Sequence, residues 1–154
     1  MNNTSEKDSA LCAMLSVLVD NASDGVIVLD YDYRVCIWNL WMVQHSTILS
    51  DAILHRPLFE CIPGLNNKRL KQAIDDALEN GMASYLSHTL SKDPFPLVKP
   101  GITGEKIKQK ISIKSVDARH GERYCYIHIS DVTASVKREY FLRELVANAQ
   151  MAQK

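Results

Sequence analysis

The sequence lacks the marks of several large classes of protein. It has no excess charge of either sign, since 18 lysine and arginine residues balance 18 aspartate and glutamate residues. Such a chain has no basic surface to attract nucleic acid or an anionic membrane. Its longest apolar run, residues 10–19, is interrupted by Ser16 and is too short to cross a bilayer. We therefore expect a cytoplasmic protein with no nucleic-acid partner and no membrane partner.

The sequence also lacks paired cysteines. The four cysteines are far apart and form no C-x-x-C pair; they are Cys12, Cys36, Cys61 and Cys125. This spacing argues against a zinc ribbon or a redox motif, so we predict free thiols and no metal site. We also find no nucleophile motif and no glycine-rich loop for phosphate. We therefore do not expect an enzyme, and a small Cys/His enzyme is the remote alternative.

The residues that are present suffice for one globular domain of the α+β class. The chain has 154 residues, of which 46% are apolar, so a core can form. Apolar spacing predicts, in order, a helix at 8–21, strands at 26–30 and 34–39, short helical turns between 40 and 62, a helix at 67–80, a strand at 82–90, a loop at 91–104, strands at 106–116 and 123–130, and a final helix. This order predicts a five-stranded antiparallel sheet with short helices on one face and a flanking helix at each end.

The first helix is apolar on more than one side. Leu11, Met14, Leu15 and Leu18 form one stripe at helical spacing, and further apolar residues widen it. Such a helix needs more than one packing partner. We expect one partner to be the domain's own sheet and the other to be a second copy of the chain, in a homodimer.

Three short motifs resemble those of the PAS (sensory box) family. Gly25–Asp30 followed by Arg34–Asn39 resembles the opening hairpin of many bacterial sensory boxes. Arg56–Glu60 resembles a stretch of the short helices, with His55 where the family usually has glycine. The triplet Asp131–Val132–Thr133 resembles the junction between the last strand and a signalling helix. The predicted order of elements is also the PAS order.

The resemblance covers about residues 21–138 and implies a division of the chain. Residues 1–21 would be a flanking dimerisation helix, residues 22–131 the sensory domain and residues 132–154 a signalling helix. The resemblance is closest to the sensors of diguanylate cyclases and histidine kinases. It therefore implies a covalently linked output domain, and the G-G-D-E-F motif of the cyclases does not occur in this sequence.

The last helix is predicted to relay a signal. The residues assigned to the relay are Asp131, Thr133, Leu142 and Leu145. Leu142 and Leu145 begin a heptad-like stripe, which could link two subunits. The alternative is a tail that docks on its own domain.

The resemblance also implies an internal pocket that holds haem, flavin, a chromophore, a metabolite or nothing. The residues assigned to this pocket are Val28, Trp38, Asn39, Phe59, Ile74, Leu86, His88, Ile113 and Ile127. His88 shares strand parity with Leu86, so its imidazole could point inward and bind haem iron, or could be an ordinary core histidine. Trp38 and Asn39 could contact a flavin, or could pack the core and cap the following turn.

Two observations weaken the case for particular cofactors. The helix at 67–80 contains no His, Met or Cys, although haem-binding relatives often place the iron ligand there. Cys61 lies in a stretch unlike the reactive-thiol motif of light-sensing flavin domains. The cofactor is therefore left unknown. We predict a domain that senses a small ligand and relays the signal to an output enzyme, with diguanylate cyclase favoured and a ligand-free dimerisation module as the first alternative.

Overall fold

Five antiparallel strands and seven α-helices form the parts of the chain described by the computed structural model, which are residues 3–65, 67–101 and 104–153. The elements are α1 (Asn3–Asp20), β1 (Gly25–Leu29), β2 (Val35–Trp38), α2 (Leu40–Ser46), α3 (Ser50–Ile53), α4 (Leu58–Cys61), α5 (Lys68–Asn80), β3 (Ser84–Leu86), α6 (His88–Ser91), β4 (Gln109–Asp117), β5 (Arg123–Asp131) and α7 (Thr133–Ala152). The predicted α+β fold with a five-stranded antiparallel sheet is confirmed.

The strands lie side by side in the order β2-β1-β5-β4-β3. Within the sheet, the chain begins with β1, forms β2 beside it at one edge, and crosses through the helices to β3 at the opposite edge. It then returns through β4 to β5, the central strand. The turn between β1 and β2 is stabilised by Asp30, whose carboxylate accepts hydrogen bonds from the backbone N–H groups of Asp32 and Arg34 at 2.9 Å each. A bulge in β2 shifts the register, so Leu29 pairs with Val35 whereas Val28 pairs with Ile37.

One face of the sheet carries the core. Paired positions on adjacent strands, such as Ile27, Ile127 and Ile113, are fully buried on that face. Helices α2 to α5 cover them with apolar side chains of their own, among them Met42 and Ile74. Burial of this many aliphatic side chains is the main stabilising contribution to the fold.

Helix α5 begins and ends at the residues that its sequence indicates. Asn67 caps its first turn, because the Asn67 Oδ1 accepts hydrogen bonds from the N–H groups of Arg69 and Leu70 at 3.0 Å each. Gly81 ends the helix in a left-handed conformation with φ of 67°. The helix predicted at 67–80 is therefore confirmed to within one residue.

The strand predicted at 82–90 is much shorter in the structure. Only Ser84–Leu86 pair with β4, in register with residues 111–113. The backbone of Met82 is hydrogen-bonded to the last turns of α5, because its N–H donates to the carbonyl of Asp76 at 3.1 Å. After Ser87 the chain turns into α6, which begins at His88. Apolar alternation over 86–90 therefore did not indicate a continuous strand.

Helix α1 differs from its prediction in length and in packing. It begins at Asn3, rather than near residue 8. We expected one side of α1 to pack on the domain's own sheet, but the side chains of residues 6–18 are all exposed. For the described side chains, the hydrogen bonds of the helix to the domain lie near its C-terminal end, where the carboxylate of Asp20 accepts a hydrogen bond from the Leu40 N–H at 3.0 Å. An apolar groove of about 640 Å³ separates α1 from β2 and α3.

Candidate functional site

Five of the residues assigned to an internal pocket lie together in the core; they are Trp38, Ile74, Leu86, Ile113 and Ile127. Trp38 pairs with Ile27 of β1, which in turn pairs with Ile127. Apolar neighbours surround these side chains, and none of them is more than 9% exposed. The polar group of Trp38 is satisfied within the protein, because its Nε1 donates to the carbonyl of Ile48 at 3.1 Å. These positions form the hydrophobic interior of the domain.

Val28 was wrongly assigned to this interior. It alternates with Ile27 and Leu29, both of which are fully buried on the inner face, so its side chain points to the outer face. Its strand partners there are Ile37 and Tyr126. The run Val26–Leu29 is apolar at every position, and its composition did not reveal which parity faces the core.

Asn39 is a buried structural residue with no hydrogen-bonding capacity left for a ligand. Its side chain is 1% exposed. The Oδ1 atom accepts hydrogen bonds from the N–H groups of Val26 at 3.0 Å and Met42 at 3.2 Å. The Nδ2 group donates to the carbonyls of Val19 at 3.1 Å and Asp24 at 2.9 Å. All four contacts of a side-chain amide are therefore made, and they join α1, β1 and α2.

His88 does not lie on the inward face of a strand. It is the first residue of α6, its side chain is half-buried, and its Nε2 lies 3.3 Å from the hydroxyl of Thr89. The expectation of an inward imidazole depended on a strand that continued to residue 90. Because the strand ends at Leu86, the parity argument does not apply.

Phe59 lies at the rim of the core, beside a cleft of about 330 Å³ between α4 and α5. Its ring meets Tyr33 edge-on at 6.0 Å between centroids. The Tyr33 hydroxyl donates to the carboxylate of Asp75, which also forms an ion pair with Lys71 at 2.9 Å. Burial acts to raise the pKa of Asp75, but the hydrogen bonds from Tyr33 and Lys71 outweigh it and lower the pKa. The same hydrogen bond and burial raise the pKa of Tyr33.

Two of the cysteines, Cys36 and Cys125, have a raised pKa, which is the opposite of what activates a nucleophilic thiol. Cys125 is buried in the core, and this burial raises its pKa to about 12. Burial also raises the pKa of Cys36, with a further contribution from Asp30. A thiol with a raised pKa is mostly protonated near neutral pH and reacts slowly. In the described parts of the chain, no three His, Cys, Asp or Glu side chains are grouped as metal ligands.

The residues assigned to the start of the relay lie at a well-defined junction between β5 and α7. The carboxylate of Asp131 accepts hydrogen bonds from the Thr133 N–H at 2.9 Å and from the Thr133 hydroxyl at 2.5 Å. The hydroxyl oxygen of Thr133 accepts a hydrogen bond from the N–H of Lys108 at 2.8 Å. The N–H of Val132 donates to the Lys108 carbonyl, also at 2.8 Å. The first turn of α7 is therefore bonded to the start of β4.

Helices α1 and α7 present large apolar side chains to solvent. On α1, Leu11, Met14, Leu15 and Leu18 are between 51% and 62% exposed. On α7, the exposed side chains include Phe141, Leu142, Leu145 and Val146, which share one side of the helix. A single copy of the chain therefore leaves two apolar helix surfaces uncovered.

The sequence analysis overlooked two residues at this junction, Lys108 and Gln109. Lys108 acts through its backbone, which no side-chain pattern indicates. Gln109 shares strand parity with Ile107, Ile111 and Ile113, and it is 1% exposed. A polar residue at an inward position of a strand was the available signal, because such a group must find partners inside the protein.

Comparison with solved structures identifies the fold of this chain. A sensory box sensor histidine kinase from Vibrio cholerae aligns with a TM-score of 0.55 and 19% identity, over 86% of this chain and 98% of that one. The PAS domain of BvgS from Bordetella pertussis aligns with a TM-score of 0.56 and 14% identity, over 90% of this chain and 98% of that one. The chain adopts the PAS fold.

The PAS fold here is also similar to that of a longer protein. An RNA-binding light-oxygen-voltage receptor aligns with a TM-score of 0.61 and 18% identity, over 90% of this chain and 38% of that one. No family model matches the sequence, and no curated protein matches it either. None of the helices in the described ranges combines the length and the hydrophobicity that a bilayer crossing requires.

Proposed function

We propose that this chain is a PAS signalling module that works as a homodimer and passes a change in the domain to an output unit through α7. The observation that carries the proposal is the exposure of the apolar surfaces of α1 and α7, which lie outside the hydrophobic core. A helix that is apolar over a wide surface is stable in water only when partners cover it. A second copy supplies the same two helices, and a two-fold arrangement covers all four surfaces at once.

The junction between β5 and α7 supports the relay part of the proposal. The anchor of α7 consists of hydrogen bonds to the sheet rather than of a flexible linker. A helix held in this way moves together with the sheet, whereas a flexible linker would not transmit the movement. A change in the domain then alters how the two α7 helices meet, provided that the effector has different affinity for the two states.

A small ligand is the second part of the proposal, and the structure limits where it would bind. The interior positions assigned to a pocket are filled by aliphatic and aromatic side chains, and Asn39 has no free polar group. A ligand would enter the cleft beside Phe59, where Lys68 adds a positive charge and the charge of Lys71 is paired with that of Asp75. A native mass spectrum and an absorption spectrum of the purified protein test this part. A fixed extra mass supports a sensor with a ligand, whereas an apo dimer supports the ligand-free dimerisation module.

Two kinds of output unit are proposed as alternatives. The sequence resemblance implies a diguanylate cyclase, and the name of one structural neighbour is that of a histidine kinase. In either form α7 would lead toward the output unit. The test of dimerisation uses this chain alone, so its result does not depend on the kind of output unit.

The association is tested by sedimentation equilibrium of Leu15→Glu and Leu145→Glu variants. Each places a charge in the middle of an exposed apolar surface, and burial of an unpaired charge costs several kcal/mol, on the order of 3–5. We expect the wild type to sediment at twice the mass of the chain and both variants to shift toward the single-chain mass.

Matched controls carry the same charge on the polar sides of the same helices. Ser9→Glu and Ala147→Glu should keep the wild-type mass, since both positions are exposed and lie away from the apolar stripes. Circular dichroism checks that each variant is folded. A wild type at single-chain mass up to about millimolar concentration, or variants that associate as the wild type does, would exclude the dimer.

A further inference from the structure

The segment of residues 92–99, which we call the strap, follows α6 and is clamped by a buried glutamine. Gln109 and Phe95 are 1% and 2% exposed. The Gln109 Oε1 accepts a hydrogen bond from the Phe95 N–H at 3.2 Å, and its Nε2 donates to the Phe95 carbonyl at 2.6 Å. One side-chain amide therefore satisfies both backbone groups of Phe95, as a neighbouring strand would.

A second contact joins the strap to the backbone of β4. The Asp93 carboxylate accepts a hydrogen bond from the Gln109 N–H at 2.7 Å, and it lies 3.5 Å from the Lys108 ammonium group. The strap is also bonded to neighbouring elements, since the Val98 N–H donates to the His45 carbonyl at 2.9 Å. These contacts fix the strap at the same end of β4 to which α7 is bonded.

The two sets of contacts meet at one peptide unit. The carbonyl of Lys108 and the N–H of Gln109 belong to the same rigid, planar group. Its carbonyl accepts the hydrogen bond from Val132 at the start of α7, and its N–H donates to Asp93 of the strap. A rotation of this unit that weakens one of the two bonds misaligns the other.

An ion pair bridges the same two regions on the surface. The Glu105 carboxylate lies 2.8 Å from the Lys137 ammonium group of α7 and 3.4 Å from that of Lys99 in the strap. These hydrogen bonds lower the pKa of Glu105, with that from Lys137 contributing most. Exposed ion pairs are weak, so the backbone unit is the stronger of the two connections.

We propose that the strap and the first turn of α7 form one cooperative unit, coupled through the Lys108–Gln109 peptide group, so that release of the strap loosens the anchor of the signalling helix. This inference rests on the proposed role of α7 and names an input to it that differs from the residues assigned to the internal pocket. It does not require dimer formation, so its failure and the failure of the dimer are distinguishable. The coupling must act in both directions, because linkage between two sites is reciprocal.

Hydrogen–deuterium exchange of the full chain, read by mass spectrometry, tests the coupling. Gln109→Met removes both hydrogen bonds to Phe95 and replaces the amide with an apolar side chain of similar length. We expect exchange to rise more than fivefold in peptides from the strap, where two hydrogen bonds are lost, and about fivefold in peptides over 131–138, the change that one weakened hydrogen bond produces. Thr133→Val, which removes the bond from the Lys108 N–H, should in turn speed exchange in the strap.

Two controls separate coupling from general loss of stability. Ile53→Val, which removes one buried carbon from α3, should leave the strap and α7 at wild-type rates. Asp93→Asn retains an oxygen that accepts from the Gln109 N–H, whereas Asp93→Ala does not, so only the alanine variant should affect α7. The alanine and asparagine pair carries the test if Gln109→Met fails to fold. Faster exchange confined to the strap in both Gln109→Met and Asp93→Ala would overturn the proposal.

Discussion

Replacement of Asn39 by alanine should remove a large part of the stability of the domain. The side chain makes four hydrogen bonds, to Val26, Met42, Val19 and Asp24, and is 1% exposed. Each buried hydrogen bond contributes about 1 kcal/mol net. The four together give a loss of about 4 kcal/mol, which includes the cap of α2. Domains of this kind have a free energy of unfolding of about 5–15 kcal/mol in total.

Urea denaturation followed by circular dichroism measures this loss. We expect a lower midpoint for Asn39→Ala with an unchanged dependence on urea, because the surface exposed on unfolding stays the same. Asn148→Ala is the control, since this residue is exposed on α7 and its replacement should change stability by less than about 0.5 kcal/mol. A loss below about 1 kcal/mol for Asn39→Ala would refute the reasoning, because the four bonds could not then be stabilising the fold.

Two further predictions follow from the titratable groups. The lowered pKa of Asp75 means that its ionised form stabilises the fold above the usual carboxyl pKa of about 4 and that this contribution is lost as the pH falls through the folded-state value. The difference in unfolding free energy between the wild type and Asp75→Asn, measured with urea, should therefore be largest near neutral pH and shrink in acid; a difference independent of pH would contradict it. Because burial raises the pKa of Cys125 to about 12, its thiol should resist iodoacetamide in the folded protein while the exposed Cys12 reacts. Rapid labelling of Cys125 without denaturant, seen in peptide masses, would contradict this and would favour the Cys/His enzyme.

Local patterns predicted the elements whose signals lie within a few residues. Asn67 and Gly81 mark the ends of α5, and the alternation from Ile107 to Ile113 marks β4. These signals are local, because a cap or an alternating face depends only on neighbouring residues. The prediction of a strand at 82–90 was wrong, because the same apolar spacing also fits a short strand followed by a helical turn.

The site was less predictable than the fold. The inward parity of β1 could not be read from Gly25–Leu29, because both faces of that central strand carry apolar residues. The role of Asn39 as a four-way structural contact depends on groups between 3 and 20 residues away in the sequence. The connection through Lys108 uses backbone atoms, which carry no sequence signature.

The sequence by itself determined the order of the strands and main helices, the presence of an apolar core and the two apolar helices at the ends of the chain. Apolar spacing encodes these features directly, since burial of apolar area is the main driving force of folding. Only the tertiary structure decided that α1 does not pack on the sheet of its own domain, that Val28 faces outward, and that the backbone of Lys108 is hydrogen-bonded to Thr133. Each of these features depends on contacts between residues that are distant in the sequence. It also depends on whether the polar groups of those residues already have hydrogen-bond partners.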